Sequence, residues 1–264
     1  MNRIRSGDAE IVYADLGDGP PVVLLHPFPA NHEVWLPAAQ ALITRYRIIV
    51  PDLRAHGDSD AGDGPATMEK HANDLARVLD GAGVGRAVFC GASIGGYILF
   101  EFWRRYRGRV AGLVLCCTRA QADKPDSRAA RLKSAADVLD RGTEWFVDSM
   151  ILKLLGNTVR ETRPDLIDGA RRMMLRMSPH DISQVQQGMA ERPDSVPTLK
   201  TMNVSTLLLA GEEDTLVPMA DLEFMRQHTP RSELKIIPKA GHFAPWEQPE
   251  VVGKLLRVFV DSCQ

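Results

Sequence analysis

The stretch Ala87-Val88-Phe89-Cys90-Gly91-Ala92-Ser93-Ile94-Gly95 constrains the fold more than any other part of the chain. An apolar run leads directly into a Gly-x-Ser-x-Gly pentapeptide. Such a run reads as a strand covered on both faces. Residues 94–106 then carry helical spacing. A strand that becomes a helix across one residue must turn sharply, which puts that residue in a strained backbone conformation. Glycines on either side leave room for neighbouring backbone. The hydroxyl of Ser93 then stands clear at the end of its strand.

The same alternation extends in both directions. Residues 10–15, 22–25, 47–50 and 110–116 read as strands, and 35–44 and 67–81 as helices, the latter capped by Thr67. From 118 to 203 the rhythm changes. No strong strand is visible there, and 128–139, 144–155, 164–177 and 181–190 read as four helices. Met150, Met173, Met174, Met177 and Met189 fall in this stretch. Methionine fills irregular apolar gaps, so a flexible lid and an ordinary helix–helix core fit equally. Pro193 and Pro197 mark a linker. Alternation then resumes, with strands at 206–210 and 234–237 and helices at 219–228 and 249–260.

This order implies an α/β fold. A mostly parallel sheet of about eight strands is flanked by helices and joined by right-handed crossovers. The core is expected to comprise residues 1–117 and 204–264. Residues 118–203 form an all-helical cap inserted between two strands.

Composition narrows the classes. The chain has 264 residues, 44% of them hydrophobic, which excludes disorder as the main state. Its formal charge is −2, from 32 basic and 34 acidic residues, with no long single-sign run. Nucleic-acid binding through a basic face is therefore not expected. Arg104-Arg105-Tyr106-Arg107 reads as a solvated helix end rather than an anion site. Cys90, Cys116, Cys117 and Cys263 match no metal-ligand spacing. The first three read as buried free thiols, with Cys116 and Cys117 on opposite faces of one strand. No apolar run is long enough to cross a membrane. Met1-Asn2-Arg3-Ile4-Arg5 leads into polar Ser6-Gly7-Asp8, with no signal-peptide core. A cytoplasmic protein without metal or cofactor is expected, and a homodimer is compatible with the sequence.

A serine hydroxyl becomes a useful nucleophile only when a base takes its proton. His242 follows the last predicted strand, at the carboxyl edge where Ser93 also lies. An imidazole can accept and return a proton near neutral pH. The base in turn needs a carboxylate to fix its tautomer. Asp214 follows strand 206–210, within Gly211-Glu212-Glu213-Asp214-Thr215-Leu216-Val217-Pro218. Glu212 and Glu213 are close rivals by position. After strand 110–116 no carboxylate occurs until Asp123.

The chain order Ser93, Asp214, His242 resembles that of the α/β-hydrolases with a helical cap. Further matching stretches are His26-Pro27-Phe28-Pro29 and Pro51-Asp52-Leu53-Arg54-Ala55-His56-Gly57-Asp58-Ser59. The resemblance implies an oxyanion hole built from the backbone N–H groups of Phe28 and Ile94. The family often has His-Gly where this chain has His26-Pro27, and proline cannot donate. A cis Phe28-Pro29 bond in this chain would aim the Phe28 amide, and the aromatic-Pro pair also resembles that of cofactor-free haloperoxidases and perhydrolases.

Serine at the elbow argues against dehalogenase and epoxide hydrolase relatives, which use Asp. The overall pattern is similar to 3-oxoadipate enol-lactonases and small carboxylesterases. It implies hydrolysis of a small-molecule ester or lactone through an acyl-enzyme on Ser93. The alternatives are hydrolysis of a carbon–carbon bond in ring-cleavage products, and perhydrolysis as a side activity. A binding protein without turnover fits less well, because such proteins usually carry a broken triad. Position nominates Trp145, Met150, Met174, Val217 and Trp246, beside Phe28, as substrate-binding residues. A Met-rich, lightly charged cap favours an apolar acyl or alcohol group over a dicarboxylate.

Overall fold

The computed structural model describes residues 1–263. Its centre is one eight-stranded sheet: β1 (Asn2–Ser6), β2 (Ala9–Leu16), β3 (Pro21–Leu25), β4 (Arg47–Pro51), β5 (Ala87–Ala92), β6 (Val110–Cys116), β7 (Thr206–Gly211) and β8 (Ser232–Ile237). The spatial order is β1-β2-β4-β3-β5-β6-β7-β8. The β1/β2 and β2/β4 pairs are antiparallel, and every other pair is parallel. β5 is central and wholly buried, with Leu25 opposite Gly91 and Cys116 opposite Ala92. The sequence reading missed β1. Its Asn2-Arg3-Ile4-Arg5-Ser6 is a polar edge strand with little hydrophobic signal.

Alternate residues of β5 serve two cores, as the pleat requires. Phe89 packs with Phe100, Phe102 and Leu79 on one face of the sheet. Val88 and Cys90 pack with Trp35, Phe243 and Phe259 on the other. The Phe89 and Phe102 rings lie 5.0 Å apart.

The helical elements differ from expectation in detail. The expected helix at 35–44 is a 3-10 turn at His32–Trp35 followed by one short helix, Leu36–Ala39. Beyond it, single-turn bonds such as Leu42 N–H to Ala39 O replace a regular ladder. Met68–Gly81 starts at Thr67, whose side chain accepts the Lys70 N–H. Between β6 and β7 the described chain contains helices and no strand. The pair expected at 128–139 and 144–155 is one helical stretch, Pro125–Leu154, broken where Gly142 takes φ 84°. Asn157–Thr162 is an additional helix too short to show periodicity. Pro164–Met174 and Pro179–Ala190 follow, the second opened by a reciprocal cap between Ser178 and Asp181. The expected linker contains a helical turn at Val196–Leu199.

Cys116 and Cys117 do not point to opposite faces. Cys117 leaves the strand with φ 46°, and its sulfur lies 3.8 Å from that of Cys116. Arg104 and Arg105 at the helix end are paired with Glu101, and Arg105 also with Glu69. Among the described residues no helix is long and apolar enough to cross a membrane.

Candidate active site

The site is assembled at the carboxyl ends of four parallel strands. β3 leads to Phe28, β5 to Ser93, β7 to Asp214 and β8 to His242. Ser93 occupies the turn between β5 and the helix Ile94–Tyr106 with φ 51° and ψ −111°. For a residue with a Cβ this costs on the order of 1–3 kcal/mol. The surroundings hold it there. Its N–H donates to Cys116 O at 2.9 Å, and its carbonyl accepts the Thr118 hydroxyl at 2.8 Å. A Cβ on Gly91 would run into the backbone of Gly95, and one on Gly95 would come 2.7 Å from the Leu25 carbonyl. Only glycine lets strand and helix approach this closely.

The Ser93 hydroxyl donates to His242 Nε2 at 2.8 Å. His242 Nδ1–H donates to Asp214 Oδ2 at 2.8 Å. The other oxygen, Oδ1, accepts the N–H of Leu216 at 2.8 Å and of Val217 at 3.1 Å. Burial alone would raise the Asp214 carboxyl. His242 and the two N–H donors outweigh that and hold it below the usual carboxylate range. The His242 and Asp214 side chains are 5% and 2% exposed, and Ser93 is buried beside them. Of the rivals to Asp214, Glu213 turns instead to Thr158, and Glu212 accepts the Lys239 N–H.

Neither Phe28 N–H nor Ile94 N–H has a backbone partner among the described residues. Ile94 opens its helix, so its N–H is one of the donors a helix start leaves unused. The Phe28-Pro29 bond is cis. Pro27 contributes its carbonyl, which accepts from Ala30 N–H and from His26 Nδ1, both at 3.0 Å.

A cavity of about 230 Å³ opens above Ser93. Of the residues nominated by position, the structure brings Phe28, Met150 and Val217 to its wall. Trp145, Met174 and Trp246 do not line it. The Trp145 ring lies under the Arg141 guanidinium at 4.1 Å. Met174 is fully buried in the core. Trp246 donates its indole N–H to Leu166 O at 3.0 Å and packs against Gly169.

The wall is also more charged than expected. Arg119, Asp123 and Arg131 line it, beside Tyr97, Ser127 and Gln186. Asp123 is shared by Arg131 at 2.6 Å and Arg192 at 2.8 Å. Burial would raise its carboxyl, but the two guanidinium groups hold it below the usual range. Arg192 is itself buried, 4.2 Å from the centre of the Tyr97 ring. Arg119 donates to the Leu216 carbonyl and lies 3.6 Å from Asp221. Helical spacing gave no sign that these charges face inward.

A family profile described as alpha/beta hydrolase fold matches residues 20–249. The chain belongs to the α/β-hydrolase fold family. Among solved α/β-hydrolases, it is 37% identical to a thermophilic esterase from Thermogutta terrifontis solved with malate bound. The TM-score is 0.96, covering 99% of this chain and 98% of that one. It is 26% identical to 3-oxoadipate enol-lactonase 1 of Acinetobacter baylyi, over 94% of this chain and 91% of that protein. The enol-lactonase from Burkholderia xenovorans LB400 shares the fold, with a TM-score of 0.91 at 22% identity over 98% of this chain and all of that one. Family membership and esterase and enol-lactonase relatives make the chain an ester-acting hydrolase.

Proposed function

We propose that the chain hydrolyses a carboxylic ester or lactone through an acyl-enzyme on Ser93. The observation that carries this reading is the continuous relay from Ser93 Oγ through His242 to Asp214. His242 Nε2 takes the hydroxyl proton as Oγ bonds to the carbonyl carbon. The developing alkoxide accepts the N–H groups of Phe28 and Ile94, each contributing on the order of 3 kcal/mol. Asp214 stabilises the imidazolium. As the tetrahedral intermediate collapses, the C–O bond to the alcohol breaks and the alcohol takes the proton from His242. Water then gives a proton to His242 as its oxygen bonds to the acyl carbon; the bond from that carbon to Ser93 Oγ breaks, Oγ takes the proton back from His242, and the acid leaves. A lactone follows the same course, except that its freed hydroxyl stays on the acyl chain and leaves with it as one hydroxy acid in the second step. The helices between β6 and β7 serve as the cap and supply much of the cavity wall.

The substrate carries a carboxylate. Two guanidinium groups share the single carboxylate of Asp123, which leaves one positive charge uncompensated in a partly buried wall. Arg131 keeps Nη2 free of protein partners among the described residues. The malate held by the Thermogutta terrifontis esterase is a dicarboxylate, which supports this choice.

The test is turnover of paired p-nitrophenyl esters and lactones, neutral and with a terminal carboxylate, with Ser93→Ala as control. Ser93-dependent turnover that favours the carboxylate member supports both parts. Turnover unaffected by Ser93→Ala contradicts the acyl-enzyme. A preference for the neutral member contradicts the charged substrate.

A further inference from the structure

We propose that Glu247 is a positioning residue for His242, and that residues 154–158 of the helical insertion are a fixed part of the active site rather than a moving lid. This inference rests on the reading of His242 as the base.

The His242 loop is held from the insertion side. His242 N–H and Phe243 N–H both donate to the Leu154 carbonyl, at 3.0 and 3.1 Å. Leu154 also lines the cavity above Ser93. Glu247, 3% exposed, holds the loop from the other side. Its Oε1 accepts the N–H of Gly241 at 3.0 Å and of Phe243 at 3.1 Å, the two neighbours of His242. Its Oε2 accepts the Gly156 N–H at 2.7 Å, which carries the contact into the insertion.

The second triad loop makes a matching contact. Glu213, next to Asp214, accepts the N–H of Thr158 at 2.8 Å and its hydroxyl at 2.6 Å. Residues 154–158 are thus bonded to the loops of both Asp214 and His242. The backbones meet closely enough to require glycine. A Cβ on Gly241 would run into Leu155 and Gly156, and one on Gly156 would come 2.5 Å from Glu213 Oε2. A carboxylate needed only to close its own turn would not reach Gly156. Displacing segment 154–158 would drag the backbone on both sides of His242, and catalysis is sensitive to errors of about 1 Å.

Glu247→Gln keeps the shape but turns an NH2 group toward a backbone N–H. Its kcat on an ester that the wild type hydrolyses is expected to fall about 10- to 100-fold, with KM within about twofold. Glu247→Asp, which keeps two acceptor oxygens, is expected to recover part of that loss. A purely structural role would lower the melting temperature and leave kcat of the folded protein unchanged, and that result would overturn the proposal. Should Glu247→Gln not fold, Thr158→Val loosens the same segment from outside the triad. It is expected to lower kcat about 3- to 10-fold, and an unchanged kcat overturns the proposal equally. A wild type without turnover overturns this inference and the hydrolase reading together. An active wild type with unaffected variants overturns this one alone.

Discussion

Oδ2 of Asp214 lies 2.8 Å from Nδ1 of His242, while Oδ1 of the same carboxylate is held by the N–H groups of Leu216 and Val217. One oxygen fixes the imidazole and the other fixes the carboxylate. Asp214→Asn is nearly isosteric but no longer selects the tautomer that leaves Nε2 facing Ser93. Its kcat is expected to fall about 10³- to 10⁴-fold in a protein that still folds. A loss below about tenfold would place the orienting group elsewhere.

The charged cavity wall makes a separate claim. Arg131→Met removes the guanidinium that has donors to spare, while Asp123 keeps Arg192. KM for a carboxylate-bearing ester is expected to rise about 10- to 100-fold, and KM for its neutral counterpart to stay within about twofold. Equal effects on both substrates would show that Arg131 shapes the wall without reading charge.

Loss of stability in acid has a traceable source in the buried His56. Burial pushes the His56 imidazole down to about 4 from its ordinary 6.5. The unfolded chain takes this proton as pH falls through 6.5, and the folded chain does so only near 4. The unfolded state therefore binds more protons in that window, and the stabilisation His56 gives at neutral pH is lost as pH falls. His56→Gln lacks this term. The stability difference between wild type and variant, from urea unfolding at several pH values, is expected to shift against the wild type between pH 6.5 and 4. Its slope approaches about 1.4 kcal/mol per pH unit. A difference constant with pH would contradict a neutral buried imidazole.

The turn at Ser93 depends on close packing against β3. Gly95→Ala would place a methyl 2.7 Å from the Leu25 carbonyl. A loss of about 1–3 kcal/mol in unfolding free energy is expected, together with a lower kcat as Ser93 is displaced. Wild-type values for both would mean that the backbones separate at no cost.

The order of elements along the chain is enough to bring Ser93, Asp214 and His242 to one sheet edge. Ser93 and Asp214 follow short apolar strands and His242 follows a half-polar one ending in Ile236-Ile237, and short strands of this kind are legible in a sequence. β1 was not, because its residues are those of a solvated edge. The helix Asn157–Thr162 was not, because one and a half turns carry no periodicity. The cavity wall was the least legible part. Trp246 and Met174 have the composition of pocket residues but are used in packing, whereas Arg131 and Asp123 read as surface charge and face inward. Glu247 gave no signal, since its partners include Gly156, 91 positions away along the chain.

The most direct test of the proposed chemistry is covalent capture of Ser93. The protein would be treated with an alkyl fluorophosphonate and examined by intact mass and peptide mapping, with His242→Ala and Ser93→Ala alongside. Expected is a single adduct on Ser93, formed far more slowly in His242→Ala and absent from Ser93→Ala. An unlabelled wild type, or an adduct on any other residue, would contradict an acyl-enzyme at this serine.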